Sequence, residues 1–448
     1  GNIRIVADSI TIDEYTTDLD VSSGVSTLAW EKTTGNAGDI VIQANAVVLR
    51  NGGAIAADTR GSGSGGVVSI DANSVIVDGT HASQGSSTGT VSSLISARTR
   101  APAIPGQVAG KGGNIFIDTS TLRVSNQGLV FAGVGDGGGA GLSAGQGGRI
   151  EINADDIHID SGGSVQASTD LTSTGAGGDI LIGTPSRHVA NIVLDRGSVV
   201  AATNGTGSGG NITVIARRLT QLNGGTVSAE SGMNGGVAGI ISLRIDDQLR
   251  LSDSAIRSTA VNNDGGDITI RMSSPRALLD ARNSDVATEA GFNGGNIDVT
   301  GVHLLRVSDG DITTRSAGAG GNISIDPEFV ILNNGQINAS AIEEDGGNIT
   351  VEARHFLKST SSTINASSQR ALPGDIAVTT PNVDIANSLV VLASSIDSDA
   401  TRLQESCAQR FAAPFSSFVV EGRGSTPLDP GTLLPSLLLH LPTTQPAE

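Results

Sequence analysis

Gly209-Gly210-Asn211-Ile212-Thr213-Val214-Ile215-Ala216 is the stretch whose reading decides the fold. Two glycines and an amide open it, and apolar residues then fall on alternate positions. The phrase returns at Gly112-Gly113-Asn114-Ile115, Gly177-Gly178-Asp179-Ile180, Gly265-Gly266-Asp267-Ile268, Gly294-Gly295-Asn296-Ile297, Gly320-Gly321-Asn322-Ile323 and Gly346-Gly347-Asn348-Ile349. Looser copies open at Gly38-Asp39-Ile40, Gly65-Gly66-Val67-Val68, Gly147-Gly148-Arg149-Ile150, Ala238-Gly239-Ile240-Ile241 and Gly374-Asp375-Ile376, and the chain starts inside one at Gly1-Asn2-Ile3. A phrase recurring at this interval marks a repeat array, which sets the architecture.

The thirteen copies lie about 31 residues apart on average. Each unit carries three short alternations. In one copy they are Ile150, Ile152 and Ala154, then Ile157 and Ile159 after the corner Asp155-Asp156, then Val165 and Ala167 after the turn Gly162-Gly163. Period-two alternation in runs this short means strands with one face buried. Three strands in so few residues leave no room for crossover helices, so each strand must pair with its counterpart in the next unit. The expectation is an all-β parallel β-helix, a solenoid of about 13 turns rising about 4.8 Å per turn. Ile115, Ile150, Ile180, Ile212, Ile268, Ile297, Ile323 and Ile349 should stack in one internal column, and Val165, Val199, Val227, Ile312 and Ile337 in another.

Asn or Asp precedes the first apolar residue in ten of the thirteen copies, the exceptions being Val67, Arg149 and Ile240. These side chains cap turns and tolerate left-handed backbone, and stacked one per turn they can form a ladder. The calcium-binding Gly-Gly-x-Gly-x-Asp repeat has a much shorter period that no segment sustains, so no metal and no cofactor are expected.

The chain has 448 residues, 27 basic against 45 acidic, for a formal charge of −18. Such a surface disfavours nucleic acid and anionic lipid as partners. Only 2% of residues are aromatic, so the core must be Ile, Val, Leu and Ala; the single Cys407 excludes an internal disulfide framework. No apolar run approaches the roughly 20 residues of a membrane-spanning helix. Opening in mid-phrase, the chain reads as a piece of a longer protein.

The steps from Val68 to Ile115 and from Ile115 to Ile150 are long, with their surplus in residues 79–112 and 133–147, which should loop out of the rod. Loops on a rigid scaffold are common binding sites. The repeats should occupy 1–396. Residues 397–448 should form a cap and Pro-rich tail, with Leu403, Cys407 and Phe411 on one helical face and Phe415 and Phe418 packed on the last turn.

Chemistry is sparse. The densest group of candidate residues is Asp155, Asp156, His158 and Asp160, with His303 and His355 at comparable corners further on. Glycoside hydrolysis needs two carboxylates about 5–10 Å apart across one sugar. Other copies fill the Asp155-Asp156 corner with Asp8-Ser9, Asn45-Ala46, Asn73-Ser74 and Arg217-Arg218, so the group reads as polar surface. With one Trp (Trp30), one Tyr (Tyr15), one Cys and six His, nothing sets a base beside a nucleophile. No catalytic, cofactor-binding or metal residue is assigned, and no enzyme is expected.

The repeats, followed by Ser416-Ser417-Phe418-Val419-Val420-Glu421-Gly422-Arg423-Gly424-Ser425-Thr426-Pro427-Leu428-Asp429-Pro430, resemble the C-terminal part of bacterial exoproteins of the filamentous haemagglutinin type. Ser425 stands where that family usually has glycine. The resemblance implies a right-handed parallel β-helix and export from a Gram-negative bacterium by an outer-membrane two-partner-secretion transporter. It further implies display on the cell surface or release, with adhesion to a host, cell-surface or carbohydrate receptor. The alternative is a carbohydrate-active β-helix that binds or cleaves polysaccharide. A third reading is a passive spacer.

Overall fold

The computed structural model describes residues 1–13, 15–16, 21–82, 90–100, 108–135, 142–143, 145–171 and 173–380, and every regular element among them is a β-strand. The opening apolar residues of the thirteen phrases form one unbroken ladder. Ile3 pairs with Ile40, Ile40 with Val68, Val68 with Ile115, and so on through Ile150, Ile180, Ile212, Ile241, Ile268, Ile297, Ile323, Ile349 and Ile376, always in parallel. The described residues form a parallel β-helix of thirteen coils, numbered 1 to 13 from those ladder residues. At one strand spacing per coil the stack is about 60 Å long.

A second sheet stacks the third strands through Val25, Ile55, Ile95, Val130, Val165, Val199, Val227, Ile256, Val286, Ile312, Ile337 and Ile364. Both expected columns point inward, their named members no more than 1% exposed. A third edge is joined through single parallel bridges such as Thr59–Thr99, Thr99–Val134 and Thr169–Thr203, and in coils 7 to 10 the second-sheet strand itself runs on to it, as at Ser231–Ala260 and Ala260–Ala290.

Three expectations need correction. The first two strands of a coil are one strand in much of the rod, as in Ile40–Arg50, Val68–Asp78, Ile115–Ser125, Ile212–Leu222 and Ile241–Ser252. The corner bends the strand without ending it: Val68, Ile70 and Ala72 face inward, then Val75 and Val77. Pairing passes from Ala44–Ala72 to Ala46–Ser74, skipping the corner residue. The second correction concerns residues 79–112 and 133–147, which do not leave the rod as blocks. Leu94–Ser96 is a rung of the second sheet, and Thr99 and Val134 are bridges of the third edge. What departs from coil 3 is an antiparallel pair, Thr80–Ala82 with Thr90–Ser92. Val108–Ala109 pairs in parallel with Leu142–Ser143, so the third-edge excursions of coils 3 and 4 stack on each other. Third, coil 1 carries its own antiparallel excursion, Tyr15–Thr16 with Val21–Ser22, which the step lengths had not singled out. The expected cap, with Cys407, Phe411, Phe415 and Phe418, lies outside the described residues.

The paired glycines are explained by contacts between coils. The second glycine is present in all thirteen copies. A Cβ on Gly113, Gly148, Gly178, Gly210, Gly295 or Gly347 would strike the carbonyl oxygen of the equivalent glycine one coil earlier, far inside van der Waals contact. A Cβ on the first glycine faces the other way: that of Gly112, Gly177, Gly209 or Gly265 would meet the amide nitrogen of the second glycine one coil later. The same glycines close the coil. The amides of Gly66, Gly113, Gly178 and Gly347 donate to the carbonyls of Ala57, Ala97, Ala167 and Ala339, the small residues that follow the third strand. Ser258, Thr288 and Thr314 replace alanine there, and their buried hydroxyls donate to the carbonyls of Gly239, Gly295 and Gly321 at 2.8, 2.8 and 2.7 Å.

Candidate functional site

Much of the polar side-chain chemistry of the rod is directed along its axis. The Asn/Asp column is a hydrogen-bonded ladder in which each side-chain oxygen accepts the backbone amide of the same position one coil later. Asn2 Oδ1 takes the Asp39 amide at 2.9 Å, Asp267 that of Asn296 at 2.7 Å, Asn296 that of Asn322 at 2.9 Å, and Asn322 that of Asn348 at 2.9 Å. The Asn296 and Asn322 amide groups also donate to the oxygen below, at 3.1 and 3.2 Å. The side-chain rungs are missing above Val67, Arg149 and Ile240, the three positions that lack an Asx oxygen.

A second column went unread in the sequence. Asn223, Asp253, Asn283, Asp309 and Asn334 all hold left-handed backbone, φ 45° to 54°, at the turn between the two sheets. Only short polar side chains and glycine visit this region readily. Asn283 Nδ2 donates to Asp253 Oδ1 at 2.6 Å and Asn334 Nδ2 to Asp309 Oδ1 at 2.8 Å. Together with Ser252, the Asn283 amide holds the Asp253 carboxyl below the usual range. The available signal was Asn or Asp immediately before the third-strand Gly or Ser, obscured where Ser161 and Arg196 take the same place.

The structure distributes the candidate cluster among such pairs. Asp155 lies under Arg187, which also reaches Asp118 at 2.6 Å and the Thr119 carbonyl at 2.9 Å. The hydrogen bond that Arg187 donates to Asp118 raises the Arg187 pKa, with Asp155 adding to it against partial burial. Asp156 accepts from Asn191 at 2.6 Å, Asp160 pairs with Arg123 at 3.1 Å, and His158 is exposed. His303 Nδ1 stands 2.8 Å from Glu328, which also pairs with Arg354. The Phe329 ring packs edge-on to His303 and stacks on His355 at 4.8 Å. These groups are spread over separate pairs along the rod. Among the described residues no three His, Cys, Asp or Glu side chains stand close enough to hold a metal ion.

One carboxylate on the first sheet is nearly buried. Burial opposes the charge of Asp280, but Arg306, at 2.7 and 2.5 Å, and Arg282 outweigh it and hold the carboxyl below its ordinary range. On the second sheet, burial pushes the Asp311 carboxyl up, and its register partner Asp285 adds to the rise. Beside that column, a groove of about 530 Å³ crosses coils 8 to 12, lined by Val261, Ala317, Ile342, Glu289, Arg315 and Gln369 among others.

No family model, curated protein or solved structure matches the chain.

Proposed function

We propose that the chain is the shaft of a non-catalytic, surface-displayed or secreted adhesin of the filamentous haemagglutinin type, exported by an outer-membrane two-partner-secretion transporter. The observation that carries this reading is the ladder of thirteen coils in which each rung is completed by the coil beside it. The glycine, amide and apolar columns all bond or pack to the adjacent coil, so folding can propagate coil by coil. A chain that folds in this way suits passage through a membrane pore unfolded and completion outside. The columns of the described rod are held by apolar packing and amide hydrogen bonds.

An antiserum raised against the purified rod tests this in the source bacterium. Labelling of intact cells, or recovery of the antigen from the medium, supports export; labelling only after lysis refutes it. The carbohydrate-cleaving alternative is favoured by one feature: Asp285 and Asp311 stand in register one coil apart on an outer face, and Asp311 is held toward its neutral form. Reducing-sugar release from polysaccharide that disappears in Asp311→Asn would establish that alternative.

A further inference from the structure

The acidic charge of the chain is unevenly spread. On the first sheet, coils 7 to 10 carry eight arginines against four aspartates across residues 212–222, 241–252, 268–282 and 297–308. Coil 6, beside the patch, carries Arg187 against Asp195, and acidic coils lie beyond it and on the other side: residues 150–160 of coil 5 hold four carboxylates and no Lys or Arg, and 323–333 of coil 11 hold two and none. Several of these arginines are engaged. Arg217 pairs with Asp247 at 3.1 Å, Arg218 donates to Asn191 at 2.8 Å, and Arg282 and Arg306 hold Asp280.

Arg244, Arg250 and Arg271 differ. All three are exposed, and none forms an ion pair or a side-chain hydrogen bond with another described residue. Arg244 and Arg271 are register partners on coils 8 and 9, so two unneutralised guanidinium groups stand on adjacent rungs. Like charges directly opposed on a sheet face destabilise it. Asp298, on the next coil, pairs with Thr269 in the ladder, two positions from Arg271, and forms no ion pair with it. Arg250 lies opposite Asp280, whose oxygens are taken by the other arginines.

The geometry points to a binding site for an acidic polysaccharide on this face, its carboxylate or sulfate groups seated between Arg244 and Arg271 and a further group reaching Arg250. Guanidinium forks pair bidentately with such oxyanions. Adjacent rungs are about 4.8 Å apart, so one oxyanion can bridge Arg244 and Arg271. Arg250 lies six residues further along the strand, past the corner at Asp246-Asp247 and at most about 20 Å away, beyond the reach of that ion, which favours a polymer bearing several charges. A nucleic-acid duplex suits the face less well. Its phosphates are dense and continuous, and beyond the patch they would meet the carboxylates of coils 5 and 11. The site names a ligand class for the adhesive reading but does not depend on export, and its test uses purified protein.

The experiment measures binding of the full chain at low salt to dextran sulfate, polygalacturonate, neutral dextran, inorganic sulfate and duplex DNA. Binding to either acidic polymer, weakening with added salt and absent for neutral dextran, is expected, and the better ligand identifies the oxyanion. Arg244→Glu/Arg271→Glu should weaken it at least tenfold, whereas Arg4→Glu/Arg50→Glu, which changes net charge equally on coils 1 and 2, should not. Arg244→Gln/Arg271→Gln, which removes the like-charge pair and leaves the fold secure, should also lose binding. Equal loss in the two Glu variants would refute a local site. So would saturation by inorganic sulfate alone, DNA binding as tight as that of the acidic polymers, or no binding to either polymer.

Discussion

Gly210→Ala should be among the most damaging single-methyl additions the rod can suffer. The new Cβ would be driven against the Gly178 carbonyl, whose carbon lies 2.7 Å away, with the Gly177 carbonyl carbon at 2.9 Å. Both obstacles are backbone, so no rotamer change relieves them and the two coils must part. Overpacking a close-packed interior costs about 1–3 kcal/mol, and a rigid backbone clash belongs at the upper end. The separation also strains the Gly210 amide bond to the Ala201 carbonyl at 3.2 Å and the Asn211 amide bond to Asp179 at 3.0 Å. The Gly210 backbone is not left-handed, so alanine incurs no φ strain. It stiffens the unfolded chain instead, which returns about 0.4–1 kcal/mol. The net loss should be about 2–3 kcal/mol. Gly35→Ala is the control, because a Cβ there meets nothing within 4 Å and its backbone is not left-handed, and it should cost under about 1 kcal/mol. Urea denaturation followed by circular dichroism gives the difference, and amide exchange at Ile180 and Ile212 localises it. Equal midpoints for the two variants, or a Gly210→Ala midpoint matching wild type, would refute the glycine-column argument.

Other outcomes follow from single residues. Gln221 is fully buried between Leu194 and Leu251 in an inward column, and neither of its amide atoms has a partner. Gln221→Leu should therefore stabilise by about 1–2 kcal/mol in urea denaturation. Asn322→Ala removes one accepted and one donated ladder bond and should cost about 1 kcal/mol, while Asn322→Asp, which keeps the acceptor, should cost less. Asp280, with its folded pKa depressed, contributes stability above its unfolded pKa that is lost as pH falls through the folded value. Thermal melts from pH 7 down to pH 2 should therefore show wild type and Asp280→Asn converging. Asp311, with its folded pKa raised, opposes folding once ionised. Asp311→Asn should raise the melting temperature at pH 7, and that gain should vanish in acid.

The inward columns were legible because the phrase before Ile115, Ile150 or Ile297 repeats glycine, amide and alternation at once. The Asn/Asp ladder was legible for the same reason. The fusion of the first two strands was not, because a bend at Asn73-Ser74 shifts the inward phase by one residue just as a break would. The left-handed column was masked by Ser161 and Arg196. The cationic face was hidden because Arg244 and Arg271 stand 27 residues apart in sequence and meet only through register. Formal charge, summed over the chain, pointed the other way.

The register of the stack is the central claim, and a pair of cysteines tests it most directly. Ser242 and Thr269 are ladder partners on coils 8 and 9, and Thr269 pairs in turn with Asp298 on coil 10. In a Cys407→Ser background, Ser242→Cys with Thr269→Cys places two thiols one rung apart, within the roughly 4.4–6.8 Å Cα separation that a disulfide spans. Ser242→Cys with Asp298→Cys places them two rungs apart, beyond it. Mild oxidation should close the first pair within one molecule and leave the second open. Closure of the second pair, or failure of the first in folded protein, would contradict the parallel stack.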